Sequence, residues 1–362
     1  MIKEAIAMIV SGQDLREEEM ESAMDDVLSG SATPAQIGAF IAALRFKGET
    51  VEEITAAARA MRSRATRIQV KNGLVNLDRD EINVEDETIL DTCGTGGDGT
   101  NTFNISTATA FVAAGGGVRV AKHGNRAVSS RCGSADVLSN LGVRLDLNHA
   151  SIEQCIQEIG IGFLYAPLFH GAMRHAAGPR QEVGIRSLFN LLGPLTNPAS
   201  ATTQVLGVYG SHLTETMASV LGRLGTREAF VVCGEETLDE ISLCGPTRMT
   251  HLKGGEIQTS RVEPEDFGFE RARSEAIRGG DARDNAGIIR RVLGGEKGPR
   301  RDVVVLNAAA AFVAAGAEPD FKSGVKRAQD AIDSRHALGK LDALIEFTQD
   351  CRPFVRGEIA EA

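Results

Sequence analysis

A glycine-rich stretch that follows a short apolar segment is the densest chemical signal in the sequence. Residues 91–107 read DTCGTGGDGTNTFNIST, which predicts a strand, a loop over Gly94–Gly99, and a helix that begins near Ser106 or Thr107. Glycines let backbone N–H groups approach an anion closely, and a helix N-terminus adds partial positive charge. The pattern therefore predicts a phosphate-binding loop. Four side chains add hydrogen-bond donors or metal-binding oxygens: Thr102, Asn104, Ser106 and Thr107.

The same glycines formally match the dinucleotide-binding pattern G-x-G-x-x-G at Gly94, Gly96 and Gly99. That pattern requires the helix directly after the glycines and an acidic residue after the next strand. Here the helix begins several residues late, and the next strand ends in the basic segment Lys122–Arg126. A base in the position where the ribose needs an acid disfavours NAD binding.

A second polar cluster follows the next strand, at residues 118–121, and reads KHGNRAVSSRCGS from Lys122 to Ser134. Residues 119–131 contain four basic side chains and no acid, although the whole chain has a net charge of −10. Ser134 could cap the helix predicted over residues 134–141. Since parallel strands end at one edge of a sheet, we expect this loop and the glycine loop to share one anion-binding crevice.

A pair of carboxylates, Asp239 and Glu240, comes shortly after the strand predicted over residues 229–233. Magnesium in proteins takes one or two carboxylates together with substrate oxygens and water. An Asp-Glu pair is weak evidence by itself, because such pairs are common on surface loops. Beside a phosphate-binding loop, it predicts a Mg²⁺ site.

The elements that must position these residues fall into two groups. Residues 1–65 show only helical periodicity, as at Met20, Ala23, Met24 and Val27, and in a predicted apolar face of Ile2, Ile6, Ile9 and Val10. After a polar linker at residues 64–86, short apolar strands alternate with helices, which indicates an α/β domain with a central, mostly parallel sheet. We expect a small all-helical N-terminal domain at 1–66, completed by helices from about 165–187, and an α/β domain at 67–362.

Composition excludes several classes of protein. The net charge of −10, the absence of Trp and the presence of only two Tyr argue against nucleic-acid binding. Six scattered cysteines without a C-x-x-C pair match neither a zinc ribbon nor a disulfide scaffold. The N-terminus lacks the features of a signal peptide, and no apolar run approaches the roughly 18 residues of a membrane span. We therefore expect a soluble, cytoplasmic protein with no membrane partner.

Four segments together resemble the anthranilate phosphoribosyltransferase family in order and spacing. They are GTGGDG…FNIST (94–107), KHGNRAVSS…GSAD (122–136), GIRSLFNLLGPLTNP (184–198) and LDEIS…GPT (238–247). The resemblance covers essentially the whole chain. It implies a fold of the nucleoside phosphorylase/phosphoribosyltransferase type, usually a homodimer. It also implies transfer of the phosphoribosyl group of phosphoribosyl pyrophosphate to the amine of anthranilate, with release of pyrophosphate, in tryptophan synthesis.

The resemblance also implies roles for individual residues. Those implied for anthranilate are Gly94, Asn125 and Arg180, and those for Mg²⁺ are Ser106, Asp239 and Glu240. No general base is implied. The residues implied for phosphoribosyl pyrophosphate are Gly94, Gly97, Asp98, Thr102, Asn104, Ile105, Ser106, Thr107, Lys122, His123, Gly124, Asn125, Arg126, Ala127, Val128, Ser129, Ser130 and Ser134.

The chain departs from the family pattern at two positions in the half that would bind the aromatic substrate. Gly171 stands in a His-Gly-Ala-Met stretch where the family has His-Pro-Ala-Met, and Pro179 replaces a valine before the implied anthranilate arginine. The donor half shows no comparable change.

Two other functions remain open from the sequence. A nucleoside phosphorylase shares a helical domain and two such loops, but it binds inorganic phosphate without Mg²⁺, so the Asp239–Glu240 pair argues against it. A non-catalytic nucleotide-binding or nucleic-acid-binding relative on the same scaffold is disfavoured by the intact site residues and by the acidic net charge. Phosphorolysis of thymidine or uridine would favour the first alternative, and a salt-sensitive gel shift with single-stranded DNA the second.

Overall fold

The computed structural model describes residues 1–70, 88–127, 132–234 and 237–351. Most of the predicted linker, and the predicted site residues Val128, Ser129 and Ser130, lie outside these ranges. The strands are β1 (Ile89–Gly94), β2 (Arg119–Gly124), β3 (Ile161–Tyr165), β4 (Thr203–Gly207), β5 (Glu228–Gly234), β6 (Thr247–Lys253) and β7 (Glu256–Val262). The helices are α1 (Ile2–Val10), α2 (Glu17–Ser29), α3 (Pro34–Lys47), α4 (Val51–Ser63), α5 (Ile105–Gly115), α6 (Ser134–Leu141), α7 (His149–Gln154), α8 (Ala166–Phe169), α9 (Arg174–Val183), α10 (Leu188–Leu195), α11 (Leu213–Arg223), α12 (Ala282–Leu293), α13 (Pro299–Ala314), α14 (Phe321–Asp333) and α15 (His336–Asp350).

The four N-terminal helices form where the periodicity predicted them. The apolar face of α2 is fully buried, and Thr33 and Thr50 cap α3 and α4 by accepting a hydrogen bond from the backbone N–H three residues later. One prediction for α1 was wrong, because Val10 is 73% exposed. Ile2 and Ile9 are buried, whereas Val10 follows Ile9 by one residue and is therefore turned about 100° away from it.

A buried carboxylate ties the ends of these helices together. Glu53 of α4 has no exposed surface, and its Oε1 accepts a hydrogen bond from the backbone N–H of Leu15 at 2.9 Å. Its Oε2 accepts from Lys47 Nζ and from the backbone N–H of Thr50, both at 2.9 Å. One side chain therefore pairs groups from the α1–α2 loop, the end of α3 and the start of α4.

The α/β domain is built on a seven-stranded sheet with the order β3-β2-β1-β4-β5-β6-β7. The first five strands in this order are parallel, and β6 and β7 are antiparallel additions at one edge. The chain winds outward from β1 to β3 in one direction and from β4 to β7 in the other. The strand order therefore reverses between β1 and β4, where ligands bind in open sheets of this kind.

The predicted fold class, a small helical domain on a larger α/β domain with a mostly parallel sheet, is confirmed. β3 and the hairpin of β6 and β7 were not predicted from the sequence. Gly254 and Gly255, both with positive φ, form the two-residue turn of that hairpin. Near the end of the chain, α14 and α15 are separate helices, because Arg335 takes a left-handed conformation with φ 61° between them.

The segment 165–187 contains α8 and α9, and α9 packs on α2 and α3 of the N-terminal helices. α10 continues this contact against α4 and α3. A single apolar cluster joins these helices to α11 and to one face of the sheet, while α5, α6 and α12–α15 cover the other face. No helix in the described ranges combines the length and apolar composition that crossing a membrane requires.

The buried carboxylate allows a test of how the helical part is stabilised. Glu53→Ala is expected to lower the free energy of unfolding by about 3 kcal/mol, because it leaves buried N–H groups without an acceptor and weakens the pairing of Lys47. Urea denaturation measures this change. Glu17→Ala, which breaks the surface pair of Glu17 with Arg59, is the control and should cost about 1 kcal/mol or less. Equal losses in the two variants would contradict this account.

Candidate active site

A cavity of about 470 Å³ lies at the carboxyl ends of β1, β2 and β5. One wall is formed by the glycine loop after β1 and the basic loop after β2. The opposite wall comes from α9 and α10, which contribute Arg180 and Phe189. The cavity therefore lies between the α/β domain and the helices that pack on the N-terminal bundle.

The glycine loop is held from behind by backbone and carboxylate contacts. Gly96, Gly97 and Gly99 have positive φ angles of 68°, 70° and 80°, a backbone conformation that side chains rarely allow. Thr95 N donates to Gly207 O at 2.9 Å, and Gly96 N donates to Asp239 Oδ2 at 2.9 Å. The loop is therefore fixed to both β4 and the carboxylate pair.

The carboxylate pair lies opposite the start of α5. Glu240 Oε1 accepts a hydrogen bond from the backbone N–H of Ser106 at 2.9 Å, while Asp239 accepts from the glycine loop. Burial raises the pKa of both carboxyl groups; the charge of Asp98 adds to this effect at Asp239, and the charge of Asp239 adds to it at Glu240. Three acidic groups at one wall of a cavity create a region that favours a bound cation.

Lys122 provides a cation within this wall. Its side chain is 3% exposed, and Nζ donates to Thr92 O at 2.5 Å and lies 3.4 Å from Ser106 Oγ. Burial lowers its pKa, while the charges of Asp91 and Glu240 oppose that shift. A desolvated ammonium group beside the helix N-terminus is suited to binding a phosphate oxygen.

The basic loop is closed by Asp136 on α6. Its Oδ2 accepts from Ala127 N at 2.9 Å and from Gly133 N at 3.0 Å, and its Oδ1 accepts from Arg126 Nη1 at 2.9 Å. The prediction that Ser134 caps α6 was wrong. Gly133 is the N-cap residue, and Ser134 Oγ instead contacts Asn125 O at 3.5 Å.

The wall from α9 and α10 is aromatic and cationic. The guanidinium carbon of Arg180 lies 5.1 Å from the centre of the Phe189 ring, and burial lowers the pKa of this arginine. Pro179, one of the two departures from the family pattern, lies inside α9 and is buried just before Arg180. Gly171, the other departure, opens a single 3₁₀ turn, and a Cβ there would meet no atom within 4 Å.

Comparison with known proteins assigns this arrangement to a family. Residues 86–338 match the α/β domain of the glycosyl transferase family, and residues 3–65 match its helical bundle domain. Anthranilate phosphoribosyltransferase of Geobacter sulfurreducens is 59% identical over 350 residues, which cover 97% of this chain and 100% of that protein. The chain belongs to the anthranilate phosphoribosyltransferase family.

Solved structures of anthranilate phosphoribosyltransferases have the same fold. The Thermus thermophilus enzyme is 43% identical with a TM-score of 0.86, and the alignment covers 95% of this chain and 99% of that one. The Saccharomyces cerevisiae enzyme, in complex with phosphoribosyl pyrophosphate and Mg, is 28% identical with a TM-score of 0.85 over 96% of this chain and 98% of that one.

In this member of the anthranilate phosphoribosyltransferase family, the cavity brings together most of the residues named from the sequence. Thr107 is an exception, because it is fully buried on α5 and does not line the cavity. The lining residues that were named from the sequence are Gly94, Gly97, Asp98, Thr102, Asn104, Ile105, Ser106, Lys122, His123, Gly124, Asn125, Arg126, Ala127, Ser134, Arg180, Asp239 and Glu240.

Sequence reasoning missed the lining residues of α10 and of the segment before and within α12. Phe189, Asn190, Gly193 and Pro194 lie within the segment 184–198 that carried the resemblance, but no role was assigned to them. Asn285 of α12 had no local signal. Its Nδ2 donates to Asn104 Oδ1 at 3.0 Å, and Asn104 Nδ2 donates to Cys132 O at 3.1 Å, so Asn285 holds the residue that links the glycine loop to the basic loop.

A larger cavity of about 850 Å³ lies on the β5–β7 side of the glycine loop. It is lined largely by hydroxyl side chains together with Arg248 and Arg261, which pair with Glu215 and Glu263. Of the residues named from the sequence, it contains Thr102. The other lining residues that were named from the sequence belong to the smaller cavity.

Two buried histidines flank the boundary between the two walls. The rings of His123 and His170 lie 5.1 Å apart edge to face, and each residue is less than 10% exposed. His123 Nδ1 lies 3.2 Å from Gly193 O, and neither Nε2 has a hydrogen-bond partner among the described residues. Burial lowers the pKa of His123 to about 3 and that of His170 to about 4, so both are neutral at pH 7.

These histidines predict a pH dependence of stability. Because their folded pKa values lie below the unfolded value of about 6.5, their contribution is fully present above pH 6.5 and is lost as the pH falls towards 4. Between pH 7 and pH 5 we expect each histidine to lower the free energy of unfolding by about 2 kcal/mol. The free energy of unfolding of His170→Gln, measured with urea, should therefore fall between pH 7 and pH 5 by about that amount less than in the wild type. His336→Gln, at an exposed position, is the control. If the free energy of unfolding of His170→Gln fell between pH 7 and pH 5 as much as that of the wild type, His170 would not be the source of the pH dependence.

Proposed function

We propose that this chain is a Mg²⁺-dependent anthranilate phosphoribosyltransferase of tryptophan biosynthesis. It transfers the phosphoribosyl group of phosphoribosyl pyrophosphate to the amine of anthranilate and releases pyrophosphate. The observation that carries this proposal is a single cavity with an anion-binding and acidic wall on the α/β domain and a cationic, aromatic wall on α9 and α10. The names of its full-length relatives support the same activity.

The donor wall has the groups that phosphoribosyl pyrophosphate requires. The N-terminus of α5, the open N–H groups of the glycine loop and Lys122 offer positive charge to the pyrophosphate. The basic loop from Lys122 to Ala127 lies on the other side of the same wall, and we assign it to the ribose and the phosphate groups. Asn104 joins the two loops, so both are held in one arrangement around the donor.

The residues present fit Mg²⁺. Asp239 and Glu240 supply two carboxylates at the cavity wall, and Ser106 adds a hydroxyl oxygen beside them. The described residues contain no group of three His, Cys, Asp or Glu side chains that would hold an ion without other ligands. Such a site suits Mg²⁺, which takes few protein carboxylates and completes its shell with substrate oxygens and water. When bound, Mg²⁺ would supply positive charge to the pyrophosphate oxygens.

The acceptor wall suits an aromatic carboxylate. The Arg180 guanidinium is half-buried, has no carboxylate partner among the described ion pairs, and lies over the ring of Phe189. It would pair with the carboxylate of anthranilate, while the aromatic ring of the substrate contacts Phe189. Asn125 and Gly94 lie on the same cavity and would contact the acceptor from the donor side.

The arrangement supports a positioning mechanism. The C1–O bond of the ribose breaks as pyrophosphate leaves with the bonding electrons. The amine nitrogen then forms the C1–N bond with its lone pair and releases one proton to water. The protein residues hold donor and acceptor in line and stabilise the charge that develops on pyrophosphate, which are the two largest sources of catalysis in reactions of this type. No side chain is assigned as a general base.

Assembly, location and domain limits belong to the same proposal. We expect a cytoplasmic homodimer with a helical domain at 1–66, completed by 165–187, and an α/β domain at 67–362. Phe46, 96% exposed, and Val10, 73% exposed, are large apolar side chains on the helical domain, and they support a contact between copies there. The boundary near residue 66 stays a prediction.

Loss of anthranilate fluorescence tests the proposed activity directly. Mixing enzyme, phosphoribosyl pyrophosphate, anthranilate and Mg²⁺ is expected to consume anthranilate, whereas omission of the donor or addition of EDTA should prevent this. Calorimetry with phosphoribosyl pyrophosphate provides a second readout. Donor binding without anthranilate consumption would mean a different acceptor, and phosphorolysis of thymidine or uridine would replace the proposal with a phosphorylase activity.

Asp239→Asn tests the metal assignment. Loss of one carboxylate charge is expected to lower kcat by about 10²–10³-fold and to raise the Mg²⁺ concentration needed for half-maximal rate, because removal of one charged contact costs about 2–4 kcal/mol in the transition state. Mg²⁺ titrations of the rate measure both changes. Asp342→Asn, which removes a surface pair with Arg290, serves as the control. An unchanged Mg²⁺ dependence in Asp239→Asn would rule out this role.

A further inference from the structure

Arg186 contacts the glycine loop from outside the cavity. It lies in the four-residue connector between α9 and α10, is exposed, and is not one of the cavity-lining residues. Its Nη1 donates a hydrogen bond to Gly97 O at 3.1 Å. The side chain therefore links the connector of the acceptor wall to the loop of the donor wall.

The ring of Tyr209 fixes the direction of this arginine. The guanidinium carbon of Arg186 lies 4.6 Å from the ring centre. Tyr209 is itself fixed to the start of the glycine loop, because its backbone N–H donates to Thr95 Oγ1 at 3.1 Å. A planar guanidinium group can stack on a ring and donate in its own plane at once, whereas a lysine cannot do both.

The hydrogen bond to Gly97 determines which way the loop peptide points. Gly97 has a φ angle of 70° and, like other glycines, can change its backbone conformation at little cost. In a planar trans peptide, the carbonyl and the following N–H point in opposite directions. While Arg186 holds Gly97 O, the N–H of Asp98 points away from Arg186, and Gly97 and Asp98 both line the cavity.

The same connector leads back to the acceptor wall. α9 ends at Gly184 in a left-handed conformation with φ 67°, and Arg180 lies in its last turn, six residues before Arg186. Arg180 lines the cavity and Arg186 holds the loop on its far side. A change in the position of α9 on acceptor binding would therefore reach the donor loop through the short connector and the Arg186–Gly97 hydrogen bond.

We propose that Arg186 is a positioning residue that holds the glycine loop in its donor-binding conformation and couples that loop to α9. This inference rests on the proposed function, since it assigns the donor to the glycine loop and the acceptor to Arg180. The Arg186–Gly97 contact is a tether between the two walls, and Tyr209 is the surface against which the tether is held.

Calorimetry on the full chain tests the tether. Phosphoribosyl pyrophosphate is titrated with Mg²⁺ present, with and without saturating benzoate, which has the ring and carboxylate of anthranilate but no amine to react. In the wild type we expect benzoate to tighten donor binding about fivefold. Arg186→Ala is expected to raise the donor Kd and KM about tenfold, the effect of losing one charged hydrogen bond, and to abolish the benzoate effect.

Companion variants separate positioning from general damage. Tyr209→Phe keeps the ring and should keep the donor affinity, whereas Tyr209→Leu should weaken it. The double variant of Tyr209→Leu and Arg186→Ala should bind the donor no more weakly than Arg186→Ala alone, because both substitutions act through the Arg186–Gly97 hydrogen bond. Arg174→Ala removes another exposed arginine of the same segment, one that contacts His175, and should bind the donor as the wild type does.

The outcomes are distinct. Wild-type donor affinity in Arg186→Ala, or an equal loss in Arg174→Ala, would overturn the positioning role. Weakened donor binding with an undiminished benzoate effect would overturn the coupling to α9. A wild-type chain that binds the donor but does not consume anthranilate would remove the proposed function instead, and this result is obtained from the wild type alone.

Discussion

The close packing of three carboxyl groups against the glycine loop is the constraint on which the site depends. Asp98, Asp239 and Glu240 share one cavity wall, where burial and the neighbouring acidic charges raise the pKa of Asp239 and of Glu240. Backbone N–H groups compensate in part, and a cation would complete the compensation. The approach is so close that a Cβ at Gly94 would clash with the Asp239 side chain, and one at Gly207 with its backbone. Gly94 and Gly207 are therefore required by the close packing of Asp239 as much as by anion binding.

Amide side chains on the covering helices hold this wall in place. Asn307 of α13 is fully buried; its Oδ1 accepts from Ile241 N at 2.9 Å and its Nδ2 donates to Ile241 O at 3.0 Å, directly after the carboxylate pair. Asn285 of α12 holds Asn104, which in turn holds the basic loop. The donor wall is therefore a rigid product of the α/β domain, as positioned electrostatic catalysis requires. The proposed acceptor wall belongs to helices packed on the N-terminal bundle, so the proposed site lies where the two parts meet.

The two departures from the family pattern have different structural consequences. A Cβ at Gly171 would meet open space, so a side chain could be accommodated there without displacing a neighbour. Pro179 lies inside α9, where it provides no N–H for the helix and is buried immediately before Arg180. Of the two departures, Pro179 is the one that constrains the turn of helix that carries the arginine.

The sequence by itself determined the chemistry that depends on neighbours along the chain. The glycine loop, the basic loop after β2 and the buried face of α2 were all predicted, since turn conformations and helical periodicity are local. The family resemblance added Arg180. Only the tertiary structure decided that Asn285, Phe189 and Arg186 belong around one site and that Ser134 does not cap α6. Those outcomes depend on which distant segments come to lie side by side, and spacing along the chain carries no record of that packing.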